Sequence, residues 1–251
     1  MKVSVVISVY QSHGATARQA RHFARMALPD DVEFIFVDDG SDPPHRAEDY
    51  DLPNLQVLHT GNDLAWTQGL GRNLGAERAR GEYLLMTDMD HILSREAIEA
   101  MRAFDGPYMN FPRYFGVLLE DGTLTQDAGA LREYGLAPRR FARGGRKLYA
   151  SVHQNTFAIR RELFWELGGY SRWSCTRGYH PGPRQGDDCH FYTKWKHWAR
   201  DHHAPPVMGP PIYVFPIGEY HVAGSTNPLG LFHDLDHESK VPQHKEAQRG
   251  R

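Results

Sequence analysis

Short apolar runs rich in β-branched residues alternate with helical patterns through the first part of the chain. The predicted strands are Val3–Val9, Glu33–Val37, Leu55–His59 and Glu82–Met86. Helices are predicted at Thr16–Leu28, with Thr16 as N-cap and Pro29 as the stop, and at Gly69–Arg80. Because parallel strands need long crossover connections, this alternation predicts an α/β fold with a mostly parallel sheet.

Two of the predicted strands end in acidic residues. Asp38 and Asp39 follow the second strand, and Asp88 and Asp90 follow the fourth. Ligands of open parallel sheets bind outside the carboxyl ends of the strands, so these acids are expected to share one edge. An Asp-x-Asp pair supplies hard oxygen ligands for a divalent cation that holds a diphosphate. Taken alone, the same pair also fits a solvated turn.

The pattern changes after about residue 105. A hairpin is predicted at Val117–Thr125, and a strand with a short helix at His153–Tyr170 that ends at Gly168-Gly169. Asp187–His202 forms the last predicted helix. We expect one domain over residues 1–251, with halves at 1–104 and 105–235 and a flexible tail at 236–251.

Composition narrows the function classes. The formal net charge of −2 gives no general attraction to nucleic acid or to an anionic membrane. Cys175 and Cys189 are the two cysteines, which indicates neither a disulfide framework nor a cysteine zinc site. No apolar run approaches the roughly 18 residues of a membrane helix, and the first run lacks a cleavage pattern. We therefore expect a soluble, cytoplasmic protein without a transmembrane segment.

Several motifs occur in order and at suitable distances, and together they carry a resemblance. They are Val5-Val6-Ile7-Ser8-Val9-Tyr10, Phe36-Val37-Asp38-Asp39-Gly40-Ser41, Gly71-Arg72-Asn73-Leu74-Gly75-Ala76 and Asp88-Met89-Asp90. The sequence resembles the family 2 glycosyltransferases, closely over residues 3–104 and more loosely to residue 202. The resemblance implies a GT-A fold, with a Rossmann-like sheet flanked by helices and an acceptor-side hairpin and loops. Ala65 departs from the family pattern, where Gly is usual, and so does Gly71, where Ala is usual.

The resemblance implies a nucleotide site in the first half. Tyr10 and Asp39 would contact the base, while Asp38, Arg72 and Asn73 would shape the ribose and base pocket. Ser8 and Asp88 complete the predicted donor site. A turn is the alternative for the Asp38-Asp39 segment, and a helical surface is the alternative for Arg72.

The resemblance also implies a metal site for Mn²⁺ or Mg²⁺. Asp90 would be the direct ligand, and Asp88 would lie between the ribose and the metal. His91 is either a metal neighbour or a loop residue. His221 resembles a late histidine that completes the metal site in some relatives, although a chain with 15 histidines also places one there by chance.

Asp188 falls on the family's position for the catalytic base, beside Asp187. Inverting transfer needs a carboxylate that takes the acceptor's proton as the hydroxyl attacks. Asp187 is a second candidate for the catalytic site, and the alternative role for either acid is a helix N-cap. The implied reaction is sugar transfer from a nucleotide sugar, with UDP-sugars favoured.

The acceptor is not identified by the sequence. Arg139, Arg140 and Arg143 belong to a basic stretch that is either a solvated loop or a site for an anionic acceptor, such as nucleic acid, a phosphorylated glycan or a lipid phosphate. Trp173 is a further candidate for sugar stacking. Two rival functions remain, a sugar nucleotidyltransferase and a non-catalytic binding protein. A sugar nucleotidyltransferase would carry a Gly-rich phosphate loop after the first strand, and this sequence lacks one. A non-catalytic binding protein would have lost one of the acid clusters, whereas all of them are present here.

Overall fold

The computed structural model describes residues 1–61, 68–127, 129–130, 152–171 and 187–215. The strands are β1 (Val3–Val9), β2 (Val32–Asp38), β3 (Leu55–His59), β4 (Tyr83–Asp88), β5 (His91–Ile92), β6 (Tyr108–Asn110), β7 (Arg113–Phe115), β8 (Val117–Leu118), β9 (Leu124–Thr125), β10 (Phe157–Arg160), β11 (Val207–Met208) and β12 (Ile212–Val214). The helices are α1 (His13–Arg25), α2 (Gln68–Arg78), α3 (Arg95–Ala103), α4 (Arg161–Glu166) and α5 (Asp187–Asp201), with a short 3-10 helix at Ala47–Asp49.

The main sheet has seven strands in the order β11-β6-β10-β4-β1-β2-β3. β1 pairs in parallel with both β2 and β4, and β2 pairs in parallel with β3. β10 runs antiparallel to its neighbours β4 and β6, so the sheet is mixed but mostly parallel. The chain moves from β1 outward to β3 and then crosses to β4 on the other side of β1. This reversal creates a topological switch point at the carboxyl ends of β1 and β4.

Helices cover both faces of this sheet. Alternate strand residues enter two hydrophobic clusters, because successive side chains of a strand point to opposite faces. Val5 and Phe34 pack in the cluster with α1 and α3. Val6 and Ile35 pack in the other, with α2, α4 and α5. The central strands are buried on both faces, which explains why they are apolar over most of their length.

Two smaller sheets accompany the main sheet. One has the order β5-β12-β7, and the other is the antiparallel pair β8 and β9. The second pair confirms the predicted hairpin at Val117–Thr125, with Gly122 at positive φ in its turn. Among the described residues, no helix combines the length and apolar character that a membrane crossing requires.

The first helix differs from its predicted boundaries. It starts at His13 and not at Thr16, because Gln11 and Ser12 both adopt positive φ and reverse the chain within two residues. The Thr16 hydroxyl donates to the Ser12 carbonyl oxygen (3.0 Å) inside the helix and does not cap it. The helix ends at Arg25, before Pro29, because Ala27 takes the left-handed conformation just past the C-cap.

Later elements follow the predictions more closely. α5 matches the predicted last helix to within one residue. β10 and α4 confirm the strand and short helix, and Gly168 and Gly169 at positive φ confirm the predicted stop. β4 extends to Asp88, so this acid belongs to the ladder and not to the turn after it.

Candidate functional site

The residues predicted to contact a nucleotide meet at one edge of the main sheet. Parallel pairing sets Ser8 of β1 opposite Asp88 of β4. Tyr10 directly follows β1, while Asp38 ends β2 and Asp39 follows it. This edge is the switch point of the fold, where open α/β sheets bind their ligands.

Asp38 is buried and holds the loop that follows β2. Its Oδ1 accepts hydrogen bonds from the backbone nitrogen (2.9 Å) and the hydroxyl (2.6 Å) of Ser41, and its Oδ2 accepts from the backbone nitrogen of His45 (3.0 Å). Burial raises the pKa of Asp38, but these hydrogen bonds outweigh burial and the pKa lies below its ordinary value. Asp38 therefore acts on the shape of the loop.

The same loop fixes the turn after Tyr10. The backbone nitrogen of Gln11 donates to the Ser41 hydroxyl oxygen (2.7 Å), and the His45 Nε2 lies 2.8 Å from the Gln11 carbonyl oxygen. Asp39, next along the chain from Asp38, accepts a hydrogen bond from the Thr60 hydroxyl at Oδ1 (2.8 Å). Both predicted base contacts thus project from a cross-linked pair of loops.

Arg72 is buried beneath the site, so the helical-surface alternative for it is wrong. Its guanidinium donates through Nη2 to Asp88 Oδ1 (2.6 Å) and through Nη1 to the Tyr170 hydroxyl (2.7 Å). The Arg72 side chain is 1% exposed and the Asp88 side chain 15%. This ion pair ties helix α2 to the end of strand β4.

Asp88 is surrounded by donors on both oxygens. Asn155 Nδ2 donates to Oδ2 (2.7 Å), and Gln68 Nε2 donates to Oδ1 beside Arg72. Burial raises the pKa of Asp88, but the Arg72 charge and the Asn155 hydrogen bond outweigh burial, and the pKa lies below its ordinary value. The Ser8 hydroxyl donates to the Gln68 carbonyl oxygen (3.3 Å), which joins β1 to the same region.

Asn73 clamps the backbone of Tyr170. Its Nδ2 donates to the Tyr170 carbonyl oxygen and its Oδ1 accepts from the Tyr170 backbone nitrogen, each at 2.9 Å. Gly169 precedes this clamp, and a Cβ there would approach Asn73 Oδ1 to 2.8 Å. Asn73 therefore fixes the backbone of Tyr170, the same residue whose hydroxyl accepts a hydrogen bond from Arg72.

Three potential ligand groups meet beside β4. One ligand atom from each of Asp88, Asp90 and His91 lies within 4.8 Å of the others. His91 starts the buried strand β5 and is not a loop residue. The two carboxylates offer the hard oxygens that Mn²⁺ or Mg²⁺ prefers.

The His91 ring is already occupied on both nitrogens. Arg113 donates to Nε2 (2.9 Å), so the proton lies on Nδ1, which faces the Thr156 hydroxyl at 2.5 Å. Burial and the Arg113 charge lower the pKa of His91 to about 4, although Asp88 opposes this. His91 is therefore a neutral neighbour of the carboxylate pair, and Asp88 and Asp90 are the groups that fit a cation.

Asp188 lies in the first turn of α5. Its Oδ2 accepts from Gln154 Nε2 (3.1 Å), and its Oδ1 accepts from the backbone nitrogen of Cys189 (2.7 Å). Asp187, at the start of the helix, is buried and accepts from the Asp188 backbone nitrogen (2.9 Å). Gln154 and Asn155 are adjacent in sequence, so Asp188 and Asp88 are joined through two neighbouring side chains.

Sequence reasoning assigned no role to several of these residues. Gln68 and Arg113 received no role, and neither did Gln154, Asn155, Thr156 and Tyr170, which lie in the predicted segment His153–Tyr170. The one sequence signal for a role was that the polar residues Gln154 and Asn155 come shortly before an apolar strand. The predicted site residues His221, Arg139, Arg140, Arg143 and Trp173 lie outside the described residues.

Comparison with known proteins decides the family. The sequence model of Glycosyl transferase family 2 matches residues 4–168. The chain belongs to glycosyltransferase family 2. The putative glycosyltransferase EpsH of Bacillus subtilis (strain 168) is 35% identical over 105 residues, which cover 39% of this chain and 29% of EpsH.

Solved structures show that this family member has the GT-A fold. S. aureus TarS 1-349 in complex with UDP-GlcNAc aligns with a TM-score of 0.53 and 16% identity, covering 90% of this chain and 61% of TarS. The mannosyltransferase PcManGT of Pyrobaculum calidifontis, in complex with GDP-Man and Mn²⁺, aligns with a TM-score of 0.51 and 14% identity, covering 91% and 58%. The chain thus spans about three fifths of these two solved relatives and under a third of EpsH.

Proposed function

We propose that this family 2 chain is a metal-dependent glycosyltransferase that moves a sugar from a nucleoside diphosphate sugar to an acceptor hydroxyl. The observation that carries the proposal is the grouping of Asp88 and Asp90 at the switch point, with Asp188 joined to Asp88 through Gln154 and Asn155. A donor site and a candidate base thus share one connected network. Family membership supports the same activity.

Asp90 and Asp88 are the residues that would hold the divalent cation. Their carboxylate oxygens are suitable ligands for such a cation. The buried Arg72 balances one carboxylate charge and leaves the other for the cation. When bound, the cation would neutralise charge that develops on the departing diphosphate. PcManGT carries Mn²⁺ together with its donor, which supports the same requirement here.

A UDP-sugar is the proposed donor. TarS is seen with UDP-GlcNAc and PcManGT with GDP-Man, so the fold accommodates both uridine and guanosine donors. Tyr10 and Asp39 would meet the base. The Thr60 hydroxyl donates to Asp39 Oδ1, which holds one oxygen of the carboxylate beside the proposed base site.

Asp188 is the proposed base, and the proposed reaction inverts the anomeric configuration. Its carboxylate takes the proton of the acceptor hydroxyl while the oxygen forms a bond to the anomeric carbon and the bond to the diphosphate breaks. Asp187 holds the Asp188 backbone at the start of α5. The division into a nucleotide-binding half at 1–104 and an acceptor half, and the anionic acceptor class that Arg139, Arg140 and Arg143 suggest, remain parts of this proposal.

Thermal unfolding with a panel of nucleotide sugars tests the proposal. UDP-GlcNAc, UDP-glucose, UDP-galactose and GDP-mannose are each added with Mn²⁺ or with EDTA, and release of nucleoside diphosphate is followed in parallel. We expect at least one donor to raise Tm and to be turned over with Mn²⁺ only, because a ligand that binds the native state stabilises it. The absence of both effects across the panel would refute the proposed function.

A further inference from the structure

The segment before β10 contacts both carboxylates of the proposed reaction. Asn155 Nδ2 donates to Asp88 Oδ2 at 2.7 Å, and Gln154 Nε2 donates to Asp188 Oδ2 at 3.1 Å. Two consecutive side chains thus reach the end of β4 and the start of α5. The next residue, Thr156, is buried and fixes the segment through the Thr87 hydroxyl (3.0 Å).

Asn155 holds the oxygen of Asp88 that its other partners do not. Arg72 and Gln68 both donate to Oδ1, whereas Asn155 donates to Oδ2. A carboxylate bonded on one oxygen still rotates about its terminal torsion, and a donor on the second oxygen stops that rotation. Asn155 therefore sets the plane of the Asp88 carboxylate.

Gln154 acts in the same way on Asp188. The Cys189 backbone nitrogen holds Oδ1 at 2.7 Å and Gln154 holds Oδ2. The Gln154 amide also lies 2.7 Å from the Cys189 sulfur, so both of its hydrogens have an acceptor at this corner. An amide donor suits an ionised carboxylate, which only accepts hydrogen bonds.

We propose that Gln154 and Asn155 are positioning residues with separate tasks. Asn155 orients Asp88 toward the bound nucleoside diphosphate and its cation, and Gln154 orients Asp188 toward the acceptor hydroxyl. This inference rests on the proposed function, because it takes Asp88 for the donor side and Asp188 for the base. Removing a group that hydrogen-bonds to a metal-binding carboxylate typically changes metal affinity or activity by about 10–100-fold, and a small misplacement of a reacting group can cost about 100-fold in rate.

Two neighbouring substitutions test this division of tasks. Asn155→Ala and Gln154→Met are compared with Gln56→Met, which removes another amide-to-carboxylate bond, from Gln56 Nε2 to Glu33 (3.2 Å), at the opposite end of the sheet. Affinity for UDP with Mn²⁺ is measured by calorimetry. UDP release at saturating donor is measured with the UDP-sugar of the panel that wild type turns over fastest, and Tm is recorded for each variant.

We expect Asn155→Ala to weaken UDP·Mn²⁺ binding by about tenfold or more. We expect Gln154→Met to keep that affinity within about twofold and to slow UDP release by about tenfold or more, because a misplaced base lowers the rate. Gln56→Met should change neither readout. Gln154→Glu, which keeps the shape of the side chain but faces Asp188 with a like charge, should also slow UDP release and replaces Gln154→Met if that variant does not fold.

The results for wild type distinguish a failure of the proposed function from a failure of this inference alone. If wild type does not bind UDP·Mn²⁺, or binds it but turns over no UDP-sugar, the proposed transfer from a UDP-sugar fails and this inference fails with it. If wild type binds and turns over donor while both variants lower Tm without moving their assigned readouts, Gln154 and Asn155 are structural ties and only the inference is overturned. The inference is also overturned if Gln154→Met weakens UDP·Mn²⁺ binding while Asn155→Ala slows UDP release without weakening binding.

Discussion

The buried ion pair between Arg72 and Asp88 gives the sharpest stability prediction. Arg72→Met keeps an unbranched side chain of similar length but removes both hydrogen bonds of the guanidinium, at 2.6 Å to Asp88 and 2.7 Å to Tyr170. The Arg72 side chain is 1% exposed, so water cannot replace the lost charge on that side. The substitution leaves the Asp88 carboxylate in a partly buried position with amide donors alone.

The size of the effect follows from the geometry. Opposite charges about 4 Å apart interact by about 4 kcal/mol at an effective dielectric constant of about 20. Removing one partner of a buried pair typically costs about 3–5 kcal/mol. Asn155 and Gln68 still donate to Asp88, and its side chain is 15% exposed, so we expect the lower end of that range. A loss of about 3 kcal/mol corresponds to a fall in Tm of about 6–12 °C for a chain of this size.

The pH dependence identifies the cause of the loss. In wild type the pKa of Asp88 lies below its ordinary value, so the carboxylate contributes stability that is present above the unfolded pKa and is lost as pH falls through the folded pKa. Without Arg72, burial raises the pKa of Asp88, and the variant instead gains stability as the carboxylate protonates. The difference in unfolding free energy between wild type and Arg72→Met should therefore become smaller as pH falls from about 7.5 to about 5.

Denaturant unfolding of Arg72→Met, Asp88→Asn and the double variant measures the pair directly. We expect the double variant to lose less stability than the sum of the single variants, because removing both charges leaves no uncompensated one. A cost below about 1 kcal/mol for Arg72→Met, or additive single effects, would refute the reasoning.

Three further predictions follow from contacts near the site. Asp188→Asn should keep UDP·Mn²⁺ affinity and lower sugar transfer by at least about 100-fold, since the amide cannot take a proton, and transfer within a few-fold of wild type would contradict the assignment. Asn73→Ala should cost about 2 kcal/mol in denaturant unfolding, because it strips partners from the Tyr170 backbone, and an unchanged midpoint would count against that clamp. Gly75→Ala should cost about 2 kcal/mol, since its Cβ would approach a Val6 methyl group; a neutral result would show that α2 shifts freely.

The strands and the placement of the acids could be predicted from the sequence. β1, β2 and β4 are buried on both faces, so their sequences are mostly apolar, and the carboxylates Asp38 and Asp88 mark the ends of β2 and β4. The start of α1 was harder to predict, because Gln11 and Ser12 adopt positive φ through contacts with a loop some 30 residues away. The local conformational preferences of these two residues do not reveal a contact with a loop so distant in sequence.

The partners of the acids could not be predicted. Arg72 on a helix next to Asn73 looks like a surface residue, and its burial depends on Tyr170, which lies 98 positions later. Gln154 and Asn155 gain their contacts only when β10 inserts antiparallel beside β4. The roles of His221, Arg139, Arg140, Arg143 and Trp173 stay predictions, as does a cytoplasmic location.

One titration tests the central claim most directly. Wild type and Asp90→Ala are each titrated with UDP by calorimetry, in Mn²⁺ and in EDTA. We predict that Mn²⁺ tightens UDP binding to wild type by at least about tenfold, since diphosphate beside Asp88 and Asp90 is otherwise repelled, and that Asp90→Ala loses this gain. Equal UDP affinity in Mn²⁺ and EDTA for wild type, or an undiminished gain in Asp90→Ala, would contradict the account.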